Sequence, residues 1–160
     1  MSKISIIMGS ASDLETVNET INLLKSFKVS FETKVLSAHR APKELAQYVE
    51  RAPKKGARVF ICAAGGAAAL AGVVAAHTVF PVVGIPIETK SLKGMDSLLS
   101  TVQMPAGVPV ASMAIGKAGA KNAALFALEI LSVSDAKVAD KLMKYKKQMR
   151  LKIKKIKLGK

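Results

Sequence analysis

The chain has 160 residues, 50% of them hydrophobic, with a formal net charge of +14 and one cysteine, Cys62. That length supports a single well-buried core, no apolar run approaches the roughly 18 residues of a membrane span, and the N-terminus lacks a secretory pattern. A cytoplasmic protein without membrane contact is therefore expected, and a lone cysteine excludes an internal disulfide or a thiolate metal cluster.

In chain order, Lys3 to Met8 is a short apolar run that predicts a strand, and Gly9-Ser10-Ala11-Ser12-Asp13 follows it as a turn. A helix should begin there with Ser12 or Asp13 as N-cap, because Val17, Thr20, Ile21 and Leu24 recur at helical spacing as far as Phe27. Ser30 to Leu36 predicts the second strand, and Pro42 opens a helix to about Lys54 that Gly56 ends. Arg58 to Ala63 predicts the third strand, in which Cys62 is a small buried hydrophobe, and Ala64-Gly65-Gly66-Ala67 leads into a small-residue helix ending at His77. Pro81 to Pro86 predicts the fourth strand, Ser97 to Val102 a short helix, Val108 to Ala114 the fifth strand, and Gly116 to Leu131 an alanine-rich helix. Strands alternating with helices imply a parallel sheet in a three-layer α/β sandwich.

Residues 135–160 hold 11 of the 25 basic residues and 2 of the 11 acidic ones, a net +9, which leaves +5 on the rest. The excess charge is thus a terminal feature, and the modestly basic body suits an anionic substrate. From Asp135 onward, Val138, Leu142, Tyr145, Met149, Ile153 and Ile156 form a narrow apolar stripe among lysines. This predicts a long helix that buries its stripe against a neighbouring subunit. Tyr145 is its only aromatic residue, so no specific nucleic-acid site is expected, only weak salt-sensitive attraction.

The stretch Ser37-Ala38-His39-Arg40-Ala41-Pro42 collects a hydroxyl, an imidazole and a guanidinium on a strand-to-helix turn. Histidine titrates nearest neutrality, and arginine offers a planar fork of donors to phosphate or carboxylate. An arbitrary His-Arg pair is most often a solvated loop. Here the turns after the first three strands all fall at the carboxyl ends, where an open parallel sheet binds ligands, and each precedes a helix whose N–H groups can face an anion. None matches the Walker pattern, and Gly65-Gly66 lacks the dinucleotide spacing, so ATP and NAD are disfavoured.

These three turns, together with Asp96-Ser97-Leu98-Leu99-Ser100-Thr101-Val102-Gln103-Met104-Pro105, Gly107-Val108-Pro109-Val110 and Ala114-Ile115-Gly116-Lys117-Ala118-Gly119-Ala120, resemble the PurE family. These are N5-carboxyaminoimidazole ribonucleotide mutases of purine biosynthesis, and the likeness covers residues 4 to 131. It implies a PurE-like flavodoxin-like domain over residues 1–131, with residues 132–160 as a basic helical extension, assembled as a homo-octamer. It also implies transfer of a carboxylate from the exocyclic nitrogen to ring carbon C4 of an aminoimidazole ribonucleotide, without metal or organic cofactor. By position, the resemblance makes His39 the general acid and base. Ser10 and Asp13 fall at the ribose phosphate end, Arg40 at the phosphate, and Gly65 and Gly66 against the ring. Ser12, Ser37 and the Gln103-Met104-Pro105 loop are expected to complete the wall.

One departure is Ala69. The family commonly has a histidine three residues after the second glycine, and a methyl group can neither titrate nor donate a hydrogen bond. His77 lies eight residues further on, roughly 12 Å along a helix, and reads as an ordinary helix-end histidine. Met95, Met104 and Met113 read as core or wall filler, Lys117 and Lys121 as solvated, and Glu88 and Asp96 as flanking a loop placed to close over the site. Two other functions compete with the mutase: a carboxylase that uses carbon dioxide directly on aminoimidazole ribonucleotide, and a non-catalytic nucleotide-binding homologue. Retention of His39 argues against the last.

Overall fold

The computed structural model describes residues 3–156. Across them run β1 (Ile4–Met8), α1 (Leu14–Ser26), β2 (Phe31–Val35), α2 (Pro42–Arg51), β3 (Val59–Ala64), α3 (Leu70–Ala76), β4 (Val82–Pro86), α4 (Met95–Val102), β5 (Ala111–Ser112), α5 (Gly116–Ser132) and α6 (Ala136–Lys154). All strand pairs are parallel, in the order β2-β1-β3-β4-β5. This is the flavodoxin-like order, in which the chain reverses direction across the sheet between β1 and β3.

Both faces of the sheet are covered, so its central strands are apolar throughout rather than alternating. Every residue of β1, β3 and β4 is buried. Their side chains still divide by parity: Ile4, Ile6, Met8, Ile61, Ala63, Val83 and Ile85 join the core under α1 and α5. Ile7, Phe60, Cys62 and Ala64 join the other, under α2 and α3. Each fully buried Ile or Leu contributes about 1.5–3 kcal/mol by burial, and that pattern fixes the register on which the loops depend.

Several boundaries differ from the sequence expectation, each for a local reason. Asp13 is the N-cap of α1, as expected, but its side chain makes no cap bond to that helix; a short 3-10 turn, Ala11–Asp13, precedes it, headed by Ser10 in a reciprocal capping box with Asp13. The helix from Pro42 gives way to a 3-10 turn, Ala52–Lys55, that contains Pro53 and closes on Gly56 at φ 102°. At the sheet edge, β5 keeps only two residues of the expected seven, since Pro109 has no N–H to give the ladder.

Helix α4 is inverted relative to ordinary amphipathic packing. Its polar Ser97 and Thr101 are buried, while Met95, Leu99 and Val102 are 51%, 49% and 49% exposed. Inside, Ser97 Oγ donates to the Ile87 carbonyl at 2.7 Å and Thr101 Oγ1 to the Ser97 carbonyl at 2.7 Å, so neither hydroxyl is orphaned.

The expected terminal helix is present as α6, N-capped by Asp135, whose Oδ1 accepts from the N–H groups of Lys137 and Val138. Its stripe divides in two. Val138 and Leu142 are buried within this same chain, and Tyr145 lies 5.6 Å from the ring of Phe27, so the first half needs no neighbouring subunit. Met149, Ile153 and Ile156 remain exposed. Leu142→Ala is expected to cost about 2–3 kcal/mol, the low end for a buried leucine because the site opens towards the surface. Urea unfolding would measure it, and an unchanged midpoint would mean that α6 contributes nothing to the core.

Candidate active site

The loops that follow β1, β2, β3 and β4 meet at the carboxyl ends of the strands around a cavity of about 550 Å³. Of the residues singled out by sequence, Ser10, Ser12, Asp13, Ser37, His39, Arg40 and Gly65 line it, as does Ala69. Gly66, between the lining residues Gly65 and Ala67, does not line it.

After β1, Ser10 N–H donates to Asp13 Oδ2 at 3.0 Å, and Ser12 Oγ donates to Ser10 Oγ at 2.9 Å. Asp13 is only 7% exposed. Burial pushes its carboxyl above the usual aspartate range, and the bonds from Ser10 and Ser12 and the positive charge of Arg40 offset only part of this. With the folded-state pKa above the unfolded one, folding favours the protonated acid. The stabilisation is present below the ordinary aspartate pKa and is lost as pH rises through the folded value. Asp13→Asn keeps an acceptor for Ser10 N–H without ionising. It should flatten that part of the stability profile and leave the protein no less stable at about pH 7. Urea unfolding at about pH 4 and about pH 7 would check this, and a marked loss at the higher pH would contradict it.

After β2, Ser37 Oγ accepts from the backbone N–H of Arg40 at 3.2 Å and from its Nε at 3.3 Å, which folds the turn upon itself. Arg40 Nη2 donates to the Gly9 carbonyl at 3.1 Å, tying the β2 loop to the β1 loop. Nη1 is left without a protein partner among the described residues, free to meet an anion. The ring of His39 is exposed on the cavity wall and likewise makes no hydrogen bond among the described residues.

After β3, Gly66 adopts φ +71°, a conformation that a side chain disfavours. Sequence reasoning missed what holds this turn. Gly66 N–H donates to Ser97 Oγ at 3.0 Å, and Ser100 Oγ donates to the Gly66 carbonyl at 3.3 Å, so α4 clamps the glycine pair. The available signal was a pair of polar residues, Ser97 and Thr101, one helical turn apart and flanked by leucines. Ile87, Glu88 and Thr89, after β4, close the far side.

Some expected participants lie elsewhere. Gln103-Met104-Pro105 does not line this cavity: α4 begins at the carboxyl ends and runs roughly 12 Å back down the sheet. A Cβ on Gly72 would come within 3.1 Å of Met104 Cε, so Met104 packs against α3 instead. His77 caps α3 and sits 3.4 Å from Glu50, in a different cavity. Lys117 and Lys121 pair with Glu15 and Glu19 of α1 at 2.8 and 3.2 Å. Among the described residues no group of three or more His, Cys, Asp or Glu side chains is placed to hold a metal.

The strand-end loops of this parallel α/β fold thus bring a guanidinium edge, an exposed imidazole, hydroxyls and a buried carboxyl group to one cavity, an arrangement chemically suited to a small anionic ligand. The chain belongs to the AIR carboxylase family, whose model matches residues 3–152. The N5-carboxyaminoimidazole ribonucleotide mutase of Pyrococcus abyssi is 53% identical over 150 residues, covering 94% of this chain and 85% of that protein. The mutase of Saccharolobus solfataricus is 51% identical over 150 residues, covering 94% of each. Among solved structures, Treponema denticola PurE superposes with a TM-score of 0.85 at 28% identity, covering 94% of this chain and 92% of that one.

Proposed function

We propose that this protein is an N5-carboxyaminoimidazole ribonucleotide mutase of purine biosynthesis, acting in the cytoplasm. The observation that carries the reading is one cavity that holds the His39 ring and Nη1 of Arg40, both without a hydrogen-bond partner among the described residues. The substrate is the carboxylated form, N5-carboxyaminoimidazole ribonucleotide. Its phosphate pairs with Arg40, its ribose meets Ser10, Ser12 and Asp13, and its ring lies on the Gly65 loop.

His39 in its imidazolium form gives a proton to the carbamate nitrogen, the C–N bond breaks, and carbon dioxide and the free amine result. Carbon dioxide stays between the small side chains of Ala64, Ala67 and Ala69 until ring carbon C4 attacks it. The neutral imidazole then takes the proton from C4, restoring the aromatic ring and its own starting state. One imidazole serves both steps, so Ala69 leaves the proton balance intact. Acid–base catalysis of this kind contributes about 10²- to 10⁴-fold; orientation and exclusion of water supply the rest.

Arg40→Ala should weaken product binding by about 1.5 to 3 kcal/mol for one charge-assisted hydrogen bond, and more for a bidentate contact. Isothermal calorimetry with the product ribonucleotide measures this directly.

In this reading, residues 1–131 are the catalytic domain and residues 132–160 an extension of it. The exposed apolar ridge Leu92, Met95, Leu99 and Val102 supports assembly of several copies, with an octamer as the expected size. The alternative, direct carboxylation of aminoimidazole ribonucleotide, is not favoured, because the similar proteins named above are mutases. Turnover assays with each of the two ribonucleotides, with and without added bicarbonate, separate the two. The mutase converts only the carboxylated substrate; a protein inactive with it but active on the other when bicarbonate is supplied is the carboxylase.

A further inference from the structure

The carboxylates around the site are engaged, with one exception. Asp13 accepts from Ser10 N–H, Glu15 pairs with Lys117, and Asp96 accepts from Thr89 Oγ1 at 2.8 Å. Glu88 lines the cavity, is exposed, and has no hydrogen bond or ion pair among the described residues. A neighbouring space shares Glu88 and contains Lys90, Lys93 and Lys117. Lys117 is occupied by Glu15, and neither Lys90 nor Lys93 pairs with Glu88.

The sheet order determines what Glu88 faces. Arg40 follows β2, Asp13 follows β1, Gly65 follows β3 and Glu88 follows β4, so the free guanidinium edge and the free carboxylate stand at opposite ends of one cavity. Three strand spacings, roughly 14 Å, separate the ends of β2 and β4, and the guanidinium reaches inward from the β2 side to the Gly9 carbonyl after β1. A ligand anchored by its phosphate at Arg40 turns its other end towards Glu88. That end is welcome if it carries N–H donors and repelled if it carries a second negative charge. On the neighbouring loop, Ala69 supplies a methyl group and no cation to neutralise the repulsion.

We propose that Glu88 is a specificity determinant of this cavity, accepting hydrogen bonds from the amine end of an aminoimidazole ribonucleotide and disfavouring a carboxylate there, on the carboxylated substrate and the 4-carboxylated product alike. This rests on the mutase reading above and adds to it a means of holding the decarboxylated intermediate between the two half-reactions. The effect is electrostatic, so it must follow the charge of the ligand rather than its size.

The test is calorimetric titration of wild type, Glu88→Gln and Glu88→Ala with aminoimidazole ribonucleotide, with its 4-carboxylated product and with ribose 5-phosphate. Glu88→Gln preserves the shape of the side chain and removes its charge. It should leave ribose 5-phosphate affinity unchanged and shift the ratio of the two ribonucleotide affinities about tenfold towards the carboxylated one. Glu88→Ala should shift the ratio in the same direction. A merely structural role would move all three ligands together, and that result, or an unchanged ratio with wild type binding normally, overturns the inference alone. A wild-type protein that binds neither ribonucleotide overturns the functional reading and this inference with it.

Discussion

His39→Asn should lower turnover by at least about 10²- to 10⁴-fold while product affinity stays within a small factor of wild type. Asparagine keeps a polar side chain of similar reach on the cavity wall, but it cannot carry a proton near neutrality. Both half-reactions need that proton: one delivers it to the exocyclic nitrogen and the other recovers it from C4. Binding is affected little because the phosphate is held by Arg40, whose own contacts, Ser37 Oγ and the Gly9 carbonyl, do not involve the imidazole. Parallel turnover and calorimetry distinguish this from a folding defect, which would reduce both. Normal turnover in the variant would remove His39 from the chemistry.

Gly119→Ala should destabilise the protein by about 3 kcal/mol or more, although replacing a mid-helix glycine by alanine ordinarily gains about 1 kcal/mol. The reason is local. A Cβ on Gly119 would collide with the backbone of Ala114, approaching its carbonyl carbon to 2.6 Å. Neither partner is a flexible side chain, so the start of α5 would have to lift away from the end of β5. The next buried residues of α5, Ala120, Ala123, Ala124 and Ala127, are completely enclosed and have no slack to absorb the shift. The steric term therefore exceeds the propensity gain. Urea unfolding would show it, and a midpoint equal to or above that of wild type would contradict it.

The parts of the fold that the sequence made legible are those with a one-dimensional signature. Ile4 to Met8 and Val59 to Ala64 are unbroken apolar runs because both faces of a parallel sheet are covered, and the glycine and serine turns between them had to fall at one end of it. From that placement, Ser10, Asp13, Ser37, His39 and Arg40 could be assigned to one cavity before any geometry was known. Contacts across the chain left no comparable trace. Ser97 and Ser100 support the Gly66 turn from 31 and 34 residues away, and the polar helix face that their sequence marks does not reveal that partner. The Gln103-Met104-Pro105 loop was misplaced because sequence order shows that a helix intervenes but not that it returns the chain to the opposite end of the sheet. In α6 the stripe was visible while its partner was not: the period of Val138, Leu142 and Tyr145 indicates a buried face, and only the fold shows that α5 and Phe27 cover it.

The most direct test of the account follows one carbon atom. Wild-type protein is given N5-carboxyaminoimidazole ribonucleotide labelled with ¹³C in its exocyclic carboxylate, in a solution containing unlabelled bicarbonate, and the 4-carboxylated product is analysed by mass spectrometry. A cavity that keeps carbon dioxide between cleavage and attack predicts product that retains the label. Product formed with unlabelled carboxylate, or formed only when bicarbonate is present, would contradict it.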